Sequence, residues 1–305
     1  MFEILDKETP AKSITKFIIK APYVARKHKA GHFVIIRVND HGERIPLTIM
    51  DSNQDAGTIS IMVQTIGKTS KLLSLQEKGD FLLDVAGPLG NPTPIHNYGT
   101  VVCIGGGVGT AEVYPIAREL KSAGNKLITI IGARSKDIII LESDLRKISD
   151  ELFITTDDGS YGMKGLVTNA LDAYLKKDSS VKAVYAIGPI IMMKAVSNFT
   201  KPIGIQTFVS LNPIMMDGTG MCGACRVSIG NETKFACVDG PEFDGHLVDF
   251  DELITRNRSY LDLEKLSLEE FDKELSRIGS SGSASSSQGG TTPECKSSVK
   301  EAANA

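Results

Sequence analysis

The sequence predicts a β plus α/β chain: an antiparallel β-barrel, then a parallel-sheet domain with helices on both faces, then a small C-terminal loop domain. Three observations predict it. To about residue 95 the chain breaks into short strand-like runs bounded by Gly, Pro, Asn or Asp, the mark of a small antiparallel barrel. From about residue 99 strands and helices alternate, which implies a parallel sheet. Beyond residue 210, three cysteines fall within sixteen positions at metal-ligand spacing.

The barrel runs are Ile14–Lys20, Phe33–Val38, Ile45–Met50, Thr58–Val63 and Phe81–Val85, and only Thr69–Leu75 reads as helical in this half. The alternating region predicts Val101–Ile104, helix Ala111–Ser122, Leu127–Ile131, helix Glu142–Ile148, Leu152–Thr155, helix Leu166–Lys176, Ala183–Ile187 and helix Ile190–Phe199. A last strand, Ile205–Val209, leads into the cysteine loop. Cys225–Gly230 and Thr233–Ala236 flank Asn231-Glu232 as a hairpin that returns Cys237 towards the first cysteines. Polar helices follow at about Asp249–Arg256 and Ser267–Ser276, and the Ser/Gly-rich segment after Ile278 cannot bury a core and is expected to be disordered.

The chain has 305 residues, 41% hydrophobic and 23% charged, with a formal net charge of -3, which suits about two globular domains and argues against a nucleic-acid partner. No apolar run approaches the roughly 18 residues of a membrane span, and the N-terminus lacks a signal-like basic and apolar pair of regions. The expectation is a cytoplasmic protein without a membrane partner. Cys103, in the apolar run Thr100–Ile104, reads as a packing thiol; Cys295 lies in the tail.

Asp217-x4-Cys222-x2-Cys225-x11-Cys237 has the spacing of a plant-type [2Fe-2S] loop, with a carboxylate where the first thiolate belongs. Its glycines suit a backbone that wraps closely around sulfides. Three thiolates and one oxygen ligand complete two tetrahedral irons. The same pair of cysteines also fits a zinc knuckle or a redox dithiol, and Asp beside Gly is a common turn residue. No His lies nearer than His246 to serve the usual Cys/His zinc arrangement.

Val101–Ile104 runs straight into Gly105-Gly106-Gly107-Val108-Gly109-Thr110 and then a helix, an order that lets backbone N–H groups reach a pyrophosphate. Thr110 occupies the third glycine position of the dinucleotide fingerprint, so a plain structural turn stays open. Asp158-Gly159 and Gly188-Pro189 follow later strands, at the edge where such sheets bind nucleotides. Arg134, after the second strand, could accommodate a 2′-phosphate, and no acidic residue stands there for a ribose hydroxyl, so NAD(H) and NADP(H) both remain open.

Gly67-Lys68-Thr69-Ser70 is not a P-loop, because Met62 stands where that motif needs Gly. Together with Arg44-Ile45-Pro46-Leu47-Thr48 it reads better as a flavin site. Pro46 and Leu47 offer a wall to a flat ring, Thr48 a hydroxyl, and Arg44 with the helix start near Thr69-Ser70 countercharge for phosphates.

These residues together resemble the ferredoxin-NADP reductase superfamily. Within it they resemble the branch of dihydroorotate dehydrogenase electron-transfer subunits, sulfide dehydrogenase small subunits and, most similar, small (alpha) subunits of electron-bifurcating NADH-dependent reduced ferredoxin:NADP oxidoreductases. Arg44–Thr48 looks like the family's flavin motif, Gly67–Ser70 like its flavin pyrophosphate turn, Gly105–Gly109 like its nicotinamide-nucleotide loop, and Ala86-Gly87-Pro88-Leu89-Gly90 like the link closing the barrel. The dihydroorotate branch carries Cys where this chain has Asp217; Asp with three Cys is similar to the other two branches, as is Phe235–Phe243.

The resemblance implies FAD, NAD(H) and a [2Fe-2S] cluster, and a large flavin and iron-sulfur partner subunit similar to the glutamate synthase small subunit, with ferredoxin as a further partner. The resemblance spans roughly residues 1 to 260 and leaves out the tail; the expected division is a FAD-binding barrel at 1–97, an NAD(P)-binding domain at 98–210, a [2Fe-2S] domain at 211–260, a helical extension at 261–278 and a disordered tail at 279–305. The expected function is electron transfer between NAD(H), FAD and the cluster. The rivals are a dihydroorotate dehydrogenase electron-transfer subunit and, from another class, a zinc-binding or redox-sensing regulatory protein.

Overall fold

The computed structural model describes residues 1–282; the rest of the expected tail, with Cys295, lies outside the described residues. The first half is built from β1 (Phe2–Ala11), β2 (Ile14–Lys20), α1 (Pro22–Lys27), β3 (Phe33–Arg37), β4 (Arg44–Asn53), β5 (Thr58–Gln64), α2 (Lys68–Ser74), β6 (Phe81–Leu82) and β7 (Asp84–Leu89). Its sheet runs β6-β1-β2-β5-β4-β3-β7, antiparallel throughout. Only Leu83 separates the two end strands in sequence, so the sheet curls almost closed. Inward-facing Phe17, Ile19, Ile36, Ile59 and Ile61 fill it, every one fully buried.

The expectation of a single helix in this half is corrected by α1. It is only six residues long and buries just Val24 and Ala25. Nor was β1 expected: of its ten residues only Ile4 is buried, so it shows no period-two pattern.

The second half comprises β8 (Thr100–Gly106), α3 (Gly109–Ser122), β9 (Lys126–Ala133), α4 (Glu142–Ile148), β10 (Glu151–Thr156), β11 (Met163–Lys164), α5 (Val167–Lys177), β12 (Val181–Ile187), α6 (Ile190–Thr200) and β13 (Gln206–Ser210). There follow β14 (Arg226–Ile229), β15 (Glu232–Phe235), β16 (Glu242–Asp244), α7 (Phe250–Asn257) and α8 (Leu261–Gly282). The sheet order is β11-β10-β9-β8-β12-β13-β16, parallel except for β16. β8 is buried along its whole length, as a central parallel strand covered on both faces must be.

The order turns at β8, which is flanked by β9 on one side and β12 on the other; the carboxyl ends of β8 and β12 therefore open a crevice of the kind that binds nucleotides in α/β sheets. The three-residue strand β16 stitches the cysteine segment onto this sheet, Ser210 opposite Glu242. α8 begins six residues before the expected Ser267 and turns back to the barrel. Phe271 is buried in the barrel core cluster, and Lys71 Nζ meets Asp272 Oδ1 at 2.6 Å.

Candidate functional site

β4 changes partner half-way along. Arg44 to Thr48 pair with β3 alone, Ile35 opposite Pro46 and Phe33 opposite Thr48, whereas pairing with β5 starts only at Ile49. Pro46, which has no N–H to give, is therefore tolerated in a strand of the barrel, and one side of Arg44–Thr48 is left unpaired. Buried Arg44 Nε has no hydrogen-bond partner. Beside it, the hydroxyl of Thr69 donates to Glu43 Oε2 at 2.6 Å, tying the start of α2 to the start of β4. Ser70 Oγ accepts from Ile66 N and Gly67 N, both at 2.9 Å, which orders the turn ahead of α2 and leaves the amides of its first turn pointing out of the helix. Sequence reasoning joined these two segments, and the structure brings them together.

The carboxyl edge of the parallel sheet gathers the second set. Gly106 lies opposite Gly132, Gly107 N donates to Gly132 O at 2.8 Å, and Asp158 N donates to Arg134 O at 3.2 Å. Gly188-Pro189 press against Gly106: a Cβ there would lie 2.4 Å from Met192 Sδ and 3.0 Å from Pro189 Cδ. Gly105 lets Thr110 approach, since a Cβ on it would stand 2.6 Å from Thr110 Cα. Gly107 is different. It adopts a left-handed φ of 56°, and the space its Cβ would enter holds no protein atom within 4 Å. Close by, the Thr110 hydroxyl is fully buried with no partner. The Thr110 hydroxyl lies against Gly105, whereas the open cradle at Gly107, ahead of a helix start, fits a phosphate-bearing ligand.

The cysteine loop folds onto the barrel. Gly218, Gly220 and Gly223 all have left-handed φ, and a Cβ on Gly218 would lie 2.7 Å from Leu89 and 2.9 Å from Ile35. Phe33, Ile35, Met215, Cys225, Ala236 and Cys237 form one buried cluster. The expected hairpin is present one residue earlier, turning at Gly230-Asn231, and it returns Cys237 N to within 3.5 Å of Cys225 Sγ.

Burial, then the neighbouring Cys225, pushes the Cys237 thiol up to about 12, while the N–H groups of Ala224 and Asp217 hold that of exposed Cys222 below its usual value. The Asp217 carboxylate accepts from the Thr219 hydroxyl, Thr219 N and Met221 N; these bonds, and after them the Arg44 guanidinium, hold it below the usual carboxylate range. Among the described residues no three His, Cys, Asp or Glu side chains converge on one ion position. A two-iron cluster spreads its four ligands over two metals and needs no such point, unlike a single tetrahedral zinc.

Two carboxylates escaped sequence reasoning. Glu112, in the first turn of α3, is hydrogen-bonded by Thr48; Glu242, on β16, accepts from Thr93 while its other oxygen is buried without a partner. Their only signal in the sequence was position, one just after a glycine loop and one just after Cys237, the last cysteine of the loop.

A model of the iron-sulfur cluster binding domain of dihydroorotate dehydrogenase B matches residues 212–249. A Thermotoga maritima protein described as a dihydroorotate dehydrogenase B (NAD(+)) electron transfer subunit homolog is 50% identical over 271 residues, 89% of this chain and 95% of its own length. The dihydroorotate dehydrogenase B (NAD(+)) electron transfer subunit of Bacillus mycoides is 29% identical over 251 residues, 79% of this chain and 94% of its own. A solved structure of NADH-dependent reduced ferredoxin-NADP oxidoreductase, described for flavin-based electron bifurcation, superposes with a TM-score of 0.84 at 49% identity, covering 89% of this chain and 98% of that one. Among the described residues no helix is long and apolar enough to cross a membrane.

Proposed function

The chain belongs to the family of dihydroorotate dehydrogenase B electron-transfer subunits and their homologues within the ferredoxin-NADP reductase superfamily, and on that premise we propose that it is an electron-transfer flavoprotein subunit. It passes electrons between NAD(H), FAD and a [2Fe-2S] cluster, and from there to or from a larger flavin and iron-sulfur subunit. One observation carries the reading: the unpaired stretch of β4 has its Arg44 end beside Asp217 of the cysteine loop and its Thr48 end beside Glu112 of the glycine-loop helix. A flat ring laid along that stretch touches both neighbours.

In this reading Pro46 and Leu47 wall the ring and the Thr48 hydroxyl meets its edge. Arg44, Gly67, Lys68, Thr69 and Ser70 hold the flavin phosphates, with the guanidinium of Arg44, whose buried Nε has no protein partner, as a donor group. Gly105, Gly106, Gly107, Val108, Gly109 and Thr110 hold the nicotinamide dinucleotide, with Gly188 and Pro189 closing the crevice. Arg134, Asp158 and Gly159 lie at the edge that meets the ribose. Asp217, Cys222, Cys225 and Cys237 ligate the cluster. Bound FAD supplies the exchange between a two-electron hydride and single electrons, which no side chain here provides.

Asp217 in the first ligand position favours the ferredoxin:NADP oxidoreductase or sulfide dehydrogenase type over dihydroorotate oxidation, with a glutamate synthase-like large subunit as partner. Anaerobic purification, with FAD, iron and zinc assayed on one sample, tests the reading. A yellow-brown protein with flavin and two irons per chain is expected, its flavin bleached by NADH. A colourless zinc protein contradicts it.

A further inference from the structure

Glu112 stands where the two proposed cofactor sites meet. It lies three residues beyond Gly109 in the first turn of α3, and its carboxylate accepts a hydrogen bond from the Thr48 hydroxyl on β4. Protein atoms crowd the carboxyl, although the side chain keeps some accessible surface. That combination desolvates a group without cutting it off from water. Burial pushes its pKa up to about 7, against the smaller opposing influence of the Thr48 hydrogen bond. A carboxyl that changes protonation near neutrality is suited to general acid–base work.

The titratable groups on the elements packed around α3 are paired, neutral or remote from it: Arg44 stands at the opposite end of the Arg44–Thr48 stretch, beside Asp217, and Lys182 on β12 is exposed. On β4, Asp51 pairs with Arg118 of α3 at 3.0 Å; on α4, Glu142 pairs with Arg146 and Asp144 with Lys147. On β8 and β12, burial pushes the Cys103 thiol and the Tyr185 phenol up, so both stay neutral; on β9, Lys126 pairs with Asp178. None of these charges is a cause of the Glu112 shift.

We propose that Glu112 exchanges a proton with the bound flavin ring, acting through the Thr48 hydroxyl; the proposal rests on the flavin reading above. The balance is simple. A hydride from NADH brings two electrons and one proton; the electrons leave singly for the cluster, so one proton per NADH must leave the ring. Thr48 Oγ1 takes the proton from a ring nitrogen as its own hydroxyl proton passes to a Glu112 carboxylate oxygen. One N–H bond breaks, one O–H bond forms on Glu112, and Glu112 then releases the proton to water. Electron flow in the opposite direction reverses each transfer.

Glu112→Gln keeps an oxygen for Thr48 to donate to but cannot take the proton. The test begins with flavin content of the wild type: a chain without flavin refutes the proposed function itself and is recognised as that failure. On flavin-loaded protein, the flavin midpoint potential is titrated from about pH 6 to about pH 8.5, and flavin reoxidation by a one-electron acceptor is followed by stopped flow. The wild-type potential is expected to bend with pH near neutrality. E112Q should lose the bend and reoxidise about 10-fold more slowly at pH 7, below the roughly 100-fold low end of general acid–base effects. Glu112→Asp should restore the bend with a reduced rate. An E112Q protein that keeps flavin, bend and rate overturns the proposal. So does one that loses its flavin while the folded cluster remains, because Glu112 is then a packing residue.

Discussion

The Asp217 carboxylate is turned into its own loop, where it accepts from Thr219 and Met221. All of those bonds fall on Oδ2, so Oδ1 is the oxygen to offer iron, which gives the assignment a test at a single residue. Asp217→Cys should keep two irons per chain while shifting the cluster's EPR signal and potential, because a thiolate replaces an oxygen donor. Asp217→Ala should bind iron poorly. If both variants kept the wild-type spectrum and potential, Asp217 would be a turn residue and nothing more.

Glu242 offers a second residue-scale test, on stability. Burial, opposed by the Thr93 hydrogen bond, lifts its pKa to about 7, well above the roughly 4.3 of an unfolded Glu. The folded state therefore binds the proton more tightly. Its contribution is fully present below about pH 4 and is lost as pH rises through 7. Glu242→Gln, which mimics the neutral acid, should stabilise the protein by roughly 1–3 kcal/mol at pH 8 relative to wild type and by little at pH 5. Thermal unfolding at the two pH values reads the difference; an equal effect at both would show that the carboxyl is not protonated in the fold.

At the scale of elements, the glycine turn between β8 and α3 sets a second kind of prediction. Gly107→Val places a β-branched residue in a left-handed conformation and fills the open cradle. NADH titration of the flavin should weaken at least about 10-fold with FAD content unchanged, because close approach of the backbone is lost. An unaltered titration would count against the cradle. α8 carries the other. Phe271→Ala should cost about 2–4 kcal/mol of helix docking, at or below the range for deleting a buried aromatic, and hydrogen exchange should rise in α8 and α2 together. Unchanged exchange in α2 would mean that the helix is not braced on the barrel.

The elements also show what the sequence made legible. β2 was read to the residue, α4 likewise, and β8 with its glycine turn was plain, because these segments have strong periodicity or an unbroken apolar run ended by turn residues. β1 was not, since its one buried side chain leaves no pattern, and α1 is too short for a helical period. β16 joins its sheet through three residues, which local pattern cannot reveal. The candidate ligands and the glycine and β4 segments were legible as motifs. Their meeting was not: Thr48 and Glu112 are 64 positions apart, Arg44 and Asp217 are 173, and only the fold brings them together.

Taken as a whole, the molecule places three regions that are separate in sequence against one strand. The barrel packs against the cysteine loop through Ile35 and Leu89 and against the parallel-sheet half through Asp51 and Arg118, so the β4 segment is enclosed from both ends. In such a molecule electrons from NADH reach the cluster only through a ring seated on that segment. The direct measurement is anaerobic NADH addition to the cofactor-loaded chain, with flavin absorbance and cluster EPR recorded in one single-turnover series. A double variant, Arg44→Ala with Thr48→Ala, serves as the flavin-depleted comparison with its iron retained. The wild type should bleach its flavin first and develop the reduced-cluster signal afterwards, while the flavin-depleted variant, still binding NADH, should keep its cluster oxidised. Cluster reduction at the wild-type rate in that variant, or a wild-type flavin that bleaches and never passes an electron to the cluster, would contradict the claim.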